Sequence, residues 1–151
     1  MKEVDIFLAS DHAGFKLKEK LKTYLQKLHQ VEDLGPFSYN PKDDYPDFAS
    51  KVARKVSKNK NSKGILVCSS GVGMAIAANK FRGIRAVTAY DAFTARFSRE
   101  HNNTNILALR AKNFSFEKTK KIISIWLKTP FSNEERHKRR IRKIGKWTTL
   151  P

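Results

Sequence analysis

The chain has 151 residues, with 31 lysines and arginines against 14 acids and a formal net charge of +17. A single domain of this length buries roughly 70% of the surface that its unfolded chain exposes, enough for one substantial core. One cysteine excludes an intrachain disulfide, and no apolar run approaches the ~18 residues of a membrane span. The opening M-K-E-V-D-I-F-L-A-S carries acids where a secretory leader would be apolar. These features predict a cytoplasmic protein. The charge raises a polyanion partner such as nucleic acid, but no zinc spacing, aromatic RNA-binding signature or helix-turn-helix accompanies it, so no nucleic-acid partner is expected. Most lysines fall on the polar faces of predicted helices.

In chain order, Val4–Ala9 reads as a first strand. Phe15–His29 has Leu17, Leu21, Tyr24, Leu25 and Leu28 at helical spacing. Val31–Leu34 is a short second strand closed by Gly35-Pro36. Pro46 suits a first helical position, and Phe48, Val52 and Val56 form a stripe behind it. Ile65–Cys68 is a third strand, Val72–Lys80 a helix, and Ile84–Ala89 a fourth strand. Asp91 can cap a helix reaching about Arg99. Ile106–Leu109 is a fifth strand, and Phe116–Leu127 a helix with Ile122, Ile123 and Trp126 inward. Glu134–Ile144 is a last, strongly basic helix. Strands alternating with helices predict an α/β protein whose parallel sheet is covered on both faces. Ligands of such sheets bind beyond the carboxyl ends of the strands.

Four segments follow strands and are the ones to weigh: Ser10-Asp11-His12, Cys68–Gly73, Tyr90-Asp91 and Arg110–Lys112. In G-I-L-V-C-S-S-G-V-G, residues 64–73, a thiol closes a buried strand beside the N–H groups of a helix start. Cys68 there is a small core residue or a base or nucleophile, and its polar surroundings favour the second. Ser70 is a donor to an oxyanion or a helix cap. Asp11 and His12 read as a cap and a solvated ring, or as a strand-tip carboxylate and a phosphate donor; on that segment alone the first is favoured. His101-Asn102 alone reads as a turn before the fifth strand. The basic tail is a solvated helix or an anion site.

The segments Asp11-His12-Ala13-Gly14-Phe15, Asp44-Tyr45-Pro46, Cys68-Ser69-Ser70-Gly71-Val72-Gly73, Ala77-Ala78-Asn79-Lys80, Gly83-Ile84-Arg85-Ala86 and His101-Asn102 with Thr104-Asn105 occur in this order, followed by Arg136 and Arg140 four apart. In that set the chain resembles the ribose 5-phosphate isomerase B family, which includes galactose 6-phosphate and allose 6-phosphate isomerases. The resemblance runs from about residue 4 to residue 144. It implies a three-layer α/β/α sandwich on a five-stranded parallel Rossmann-like sheet with a C-terminal basic helix. One sugar-phosphate isomerase domain would span residues 1–151, its tail from 131 completing the site.

The implied reaction is aldose–ketose isomerisation of a phosphosugar through a cis-enediolate, in the non-oxidative pentose phosphate pathway, with no metal or other cofactor. The resemblance implies that Cys68 moves the proton between C1 and C2; the Glu that some members use six residues further on is Met74 here. It places Ser70 and the N–H groups of Gly71, Val72, Gly73 and Met74 around the enediolate, and Asp11 near the sugar oxygens. His101 is implied as the ring-opening acid and base, and Asn102 as a hydroxyl contact. His12, Arg136 and Arg140 are implied as phosphate ligands, and Tyr45 as part of the binding set. A homodimer or tetramer is implied, with His101, Asn102 and the tail reaching in part from the other subunit. Three positions depart from the pattern: Ser69 and Arg110 stand where relatives carry Gly, and Lys112 where they carry a phosphate-holding Arg. A six-carbon phosphosugar is the alternative substrate.

Overall fold

The computed structural model describes residues 5–147. Its elements are β1 (Ile6–Ser10), α1 (Phe15–Leu25), β2 (Val31–Asp33), α2 (Tyr45–Lys58), β3 (Lys63–Cys68), α3 (Val72–Ala78), β4 (Ala86–Thr88), α4 (Ala92–Asn102), β5 (Ile106–Arg110), α5 (Phe116–Lys128) and α6 (Glu135–Gly145). The strands form one sheet in the order β2-β1-β3-β5-β4, every pair parallel.

Side chains of a strand point alternately to its two faces, so the three central strands feed two cores. Phe7, Ala9, Leu66, Cys68, Ile106 and Ala108 meet α2 and α3 on one face. Ile6, Leu8, Ile65, Val67, Leu107 and Leu109 meet α1, α4 and α5 on the other. This is the expected three-layer α/β/α arrangement. Ile122, Ile123 and Trp126 are buried as the spacing predicts.

Several boundaries differ from those predicted. Val4, the predicted start of the first strand, lies outside the described residues, and β1 runs on to Ser10. The helix α1 ends at Leu25, not His29: the N–H groups of Leu28 and His29 both bond to the Leu25 carbonyl, and Leu28 is 76% exposed. Strand β4 shrinks to Ala86–Thr88, the residues in register with Ile106–Ala108 of β5. Strand β3 starts at Lys63, helix α3 stops at Ala78, and the basic helix begins after Glu134. Most relevant to the site, α4 runs to Asn102, so His101 and Asn102 sit on a helix rather than in a turn. Asn103, in the left-handed conformation at φ 46°, ends it.

Candidate active site

Two strand ends bring Asp11 and Cys68 to the same edge of the sheet. The registers pair Ser10 with Val67 and Cys68 with Arg110, and the Asp11 N–H bonds to the Val67 carbonyl at 3.2 Å. After Cys68 the chain turns sharply. Gly71 has φ 83°, and a Cβ there would stand 3.1 Å from the backbone of β5, so only glycine fits. The turn aims the Gly71 N–H at the Cys68 sulfur, at 3.0 Å. A sulfur that accepts this bond has its own proton directed elsewhere. The Ser70 hydroxyl accepts from the Val72 N–H at 3.2 Å, at the first residue of α3, because the N-cap itself is the side-chain-less Gly71. Met74 is fully buried in the core, which leaves its backbone, not its side chain, for the site.

The loop is braced from β4 and beyond it. The Thr88 hydroxyl donates to the Gly71 carbonyl at 3.2 Å, and the Tyr90 hydroxyl to the Ser70 carbonyl at 2.7 Å. The Arg110 guanidinium lies over the Tyr90 and Phe114 rings and donates to the Lys112 carbonyl. Lys112 is exposed, with its N–H on the Ser69 carbonyl. Two of the departures, Arg110 and Lys112, therefore also tie the strand end to the Cys68 loop. The third, Ser69, is exposed.

Asp11 is buried, and its Oδ1 accepts the Gly14 N–H at 3.0 Å, closing the turn that starts α1. Burial pushes its carboxyl above the ordinary value, against the pull of the Gly14 N–H and of His12. His12 is half-exposed. Asp43, from the loop after β2, accepts from its backbone N–H at 2.9 Å and meets its Nδ1 at 2.7 Å. That bond raises the imidazole's affinity for a proton, burial opposes it, and the Asp11 charge adds to it. Tyr45 opens α2, and its ring lies on Gly73, where a Cβ would come within 2.7 Å. Asp11, His12, Tyr45, Cys68, Ser70, Gly71, Val72, Gly73, Met74 and Lys112 thus share one edge.

The other predicted residues lie elsewhere. Helix α4 returns along the sheet, so His101 and Asn102 stand beside the start of β5, five residues from the Cys68 edge. At ~3.3 Å per residue that is about 15 Å away. Helix α6 packs there: the His137 and His101 rings are 4.4 Å apart, and Ser132 bonds to both His137 Nδ1 and the Glu100 carbonyl. Burial pushes the His137 imidazole down, and His101 and Arg136 push the same way. Arg136 and Arg140 are exposed on α6, one turn apart; Arg136 pairs with Glu134 at 2.7 Å. Asn102 lines a cavity of about 320 Å³ with Arg85, Ser98, Ile141 and Ile144.

The profile of the Ribose/Galactose Isomerase family matches residues 6–144. The chain belongs to this family. A probable ribose-5-phosphate isomerase B of Mycoplasma genitalium is 44% identical over 142 residues, 93% of each chain. A ribose-5-phosphate isomerase B structure from Mycoplasma genitalium with bound ribulose 5-phosphate superposes with a TM-score of 0.91, at 42% identity over 97% of each chain. The Thermotoga maritima ribose 5-phosphate isomerase gives a TM-score of 0.90, at 47% identity over 96% of this chain and 99% of that one.

Within this isomerase family member, the carboxyl edge offers what proton transfer next to a carbonyl requires. A sulfur lies beside a bent, N–H-lined loop, with a carboxyl and an imidazole within the same loop cluster. No helix among the described residues is long and apolar enough to cross a membrane. Asp43 and Thr88 are additions that sequence did not single out, and Tyr90, which follows the fourth strand, had no role assigned. Thr88 and Tyr90 follow no motif spacing and act on backbone carbonyls. No spacing in the sequence points to Asp43, since its bond partner lies 31 positions away.

Proposed function

We propose that this chain interconverts D-ribose 5-phosphate and D-ribulose 5-phosphate through a cis-enediolate, with Cys68 as the base. The observation that carries this is the likeness, over 97% of both chains, to the Mycoplasma genitalium isomerase that holds ribulose 5-phosphate. The strand-end thiol and its N–H-lined loop support it.

In this reading His101 opens the furanose, taking the proton of the C1 hydroxyl while the ring oxygen gains one. The Cys68 sulfur then removes the C2 proton. That bond pair forms C1=C2, and the carbonyl pair moves onto O1, where Ser70 and the N–H groups of residues 71–74 stabilise the charge. The proton on O2 passes to O1, and Cys68 returns its proton to C1, leaving the carbonyl at C2. The electrons stay within the sugar, so no external oxidant or reductant takes part. Asp11 faces the sugar oxygens, Tyr45 and Asn102 bind the sugar, and His12, Lys112, Arg136 and Arg140 hold the phosphate. That remote contact supplies binding energy to align the reacting carbons.

The separation of the two sets of residues supports a homodimer, alone or paired into a tetramer. His101, Asn102 and the α6 arginines of one copy would complete the Cys68 edge of another. One isomerase domain spans the chain in this reading, and a cytoplasmic setting suits the single free thiol.

A coupled assay of ribose 5-phosphate, allose 6-phosphate and galactose 6-phosphate tests the substrate. Cys68→Ala tests the base. Its turnover should fall at least ~10²–10⁴-fold, with the fold and ribulose 5-phosphate binding retained. Variant turnover within a few-fold of the parent, or a preference for a six-carbon substrate, would contradict the proposal.

A further inference from the structure

We infer that Asp43 is a positioning residue: one carboxylate oxygen grips His12 by both its backbone N–H and its Nδ1, so that Nε2 is the nitrogen left to meet the phosphate. This rests on the reading of His12 as a phosphate ligand. Both bonds, at 2.9 and 2.7 Å, fall on Asp43 Oδ1. The Asp43 side chain is only 9% exposed, and its Oδ2 is buried without a hydrogen-bond partner among the described residues. A buried carboxylate needs donors, and here they come from His12. The loop that delivers Asp43 is itself fixed. At its start Asp33 accepts the Gly35 N–H at 2.9 Å and the buried Lys18 ammonium at 2.7 Å. At its end it runs into Asp44 and Tyr45 at the head of α2.

The chemical consequence follows from the two ring nitrogens. A neutral imidazole that donates from Nδ1 has an acceptor at Nε2, which repels a phosphate oxygen. Only the imidazolium donates from both. Asp43 therefore does more than orient the ring: its charge favours the protonated ring, the form that binds phosphate. The other titratable groups around His12 are Asp11 at the end of β1, whose charge acts the same way, and Tyr39, whose ring meets the imidazole edge-on at 6.4 Å. In a site completed by a second copy, Arg136 and Arg140 of that copy and the phosphate itself also face it. Those groups are common to the parent and an Asp43 variant, so the ratio between the two isolates Asp43.

Asp43→Asn is the sharpest test, because the amide oxygen can still accept both His12 bonds and only the charge is lost. In the ligand-free protein, an NMR titration of the His12 ring should show it losing its proton at lower pH in the variant. Ki for inorganic phosphate and KM for ribose 5-phosphate should rise roughly ten-fold near pH ~8, with a smaller change in kcat. The two proteins should converge as pH falls well below the ordinary imidazole value of 6.5, where the variant's ring also takes up its proton. Asp43→Glu, which keeps the charge, should keep the parent's pH profile. In a His12→Asn background, Asp43→Asn should add nothing to KM. A variant-to-parent ratio that is flat across pH, or an equal penalty without the His12 ring, would overturn the inference. A parent without isomerase turnover would instead overturn the proposed function, and the NMR titration would still decide whether Asp43 sets the state of His12.

Discussion

At the carboxyl edge of the sheet, Asp11, His12 and Cys68 each bond to a neighbour within one cluster of loops. At the α4–α6 corner, His101 and Arg136 spend their contacts on His137 and Glu134, and both arginines stand in solvent. The first region is fixed by backbone: a left-handed glycine, strand ends in register, and N–H groups that point where the turn sends them. The second is fixed by packing of one helix on another. About 15 Å of sheet lies between them, so in the proposed reaction the two regions would have to come from different copies. The contrast teaches that backbone geometry holds the edge groups that the proposal makes reactive, while the corner leaves Arg136 and Arg140 exposed on a packed helix. The proposed shared site requires such a surface.

The tail arginines offer the larger way to break this comparison. If the corner contributes a phosphate site, Arg136→Ala or Arg140→Ala should raise KM for ribose 5-phosphate roughly ten- to a hundred-fold, since a charge-assisted contact is worth about 1.5–3 kcal/mol. Lys138, half-buried and paired with Glu135, is the control, and Lys138→Ala should stay near the parent. Similar small effects from all three would mean a diffuse field rather than a site.

Acid offers a smaller way to sharpen it. Burial pushes the Asp33 carboxyl up, but Lys18, the Gly35 N–H and Lys22 outweigh it and leave the group below the ordinary value of 3.8. A lowered carboxyl stabilises the fold above its unfolded value and loses that contribution as pH falls through the folded one. The Lys18–Asp33 pair is buried, whereas the α6 pairs are exposed and worth little. Asp33→Ala should therefore cost on the order of 3 kcal/mol at neutral pH. In thermal unfolding, that deficit should shrink as the solution is acidified below 3.8. A deficit that stays constant down to pH ~2 would show that packing, not the ion pair, holds this loop.

The layer order and the Cys68 edge were legible because both depend on short-range patterns. Alternating apolar strands, Pro46 at a helix start and a Cys-Ser-Ser-Gly turn fix local geometry by themselves. The resemblance supplied the roles. The ends of α1 and α4 were misread for opposite reasons. Leu28 extends the apolar spacing of α1 yet faces solvent, whereas a lone His101-Asn102 reads as a turn yet breaks no helical rule. Asp43 was illegible because its partner lies 31 positions away, across a loop whose path depends on Asp33 and Lys18. Its neighbours in sequence hid it rather than pointing to it.

Mixing two inactive variants tests the shared site most directly. Cys68→Ala and His101→Asn are each purified, shown to be inactive on ribose 5-phosphate, then dissociated, mixed in equal amounts and reassembled. If Cys68 of one copy works with His101 of another, half the dimers are mixed and each holds one intact site, so turnover should recover to about a quarter of the parent's. Turnover no higher than the sum of the two variants alone would contradict a site shared between copies.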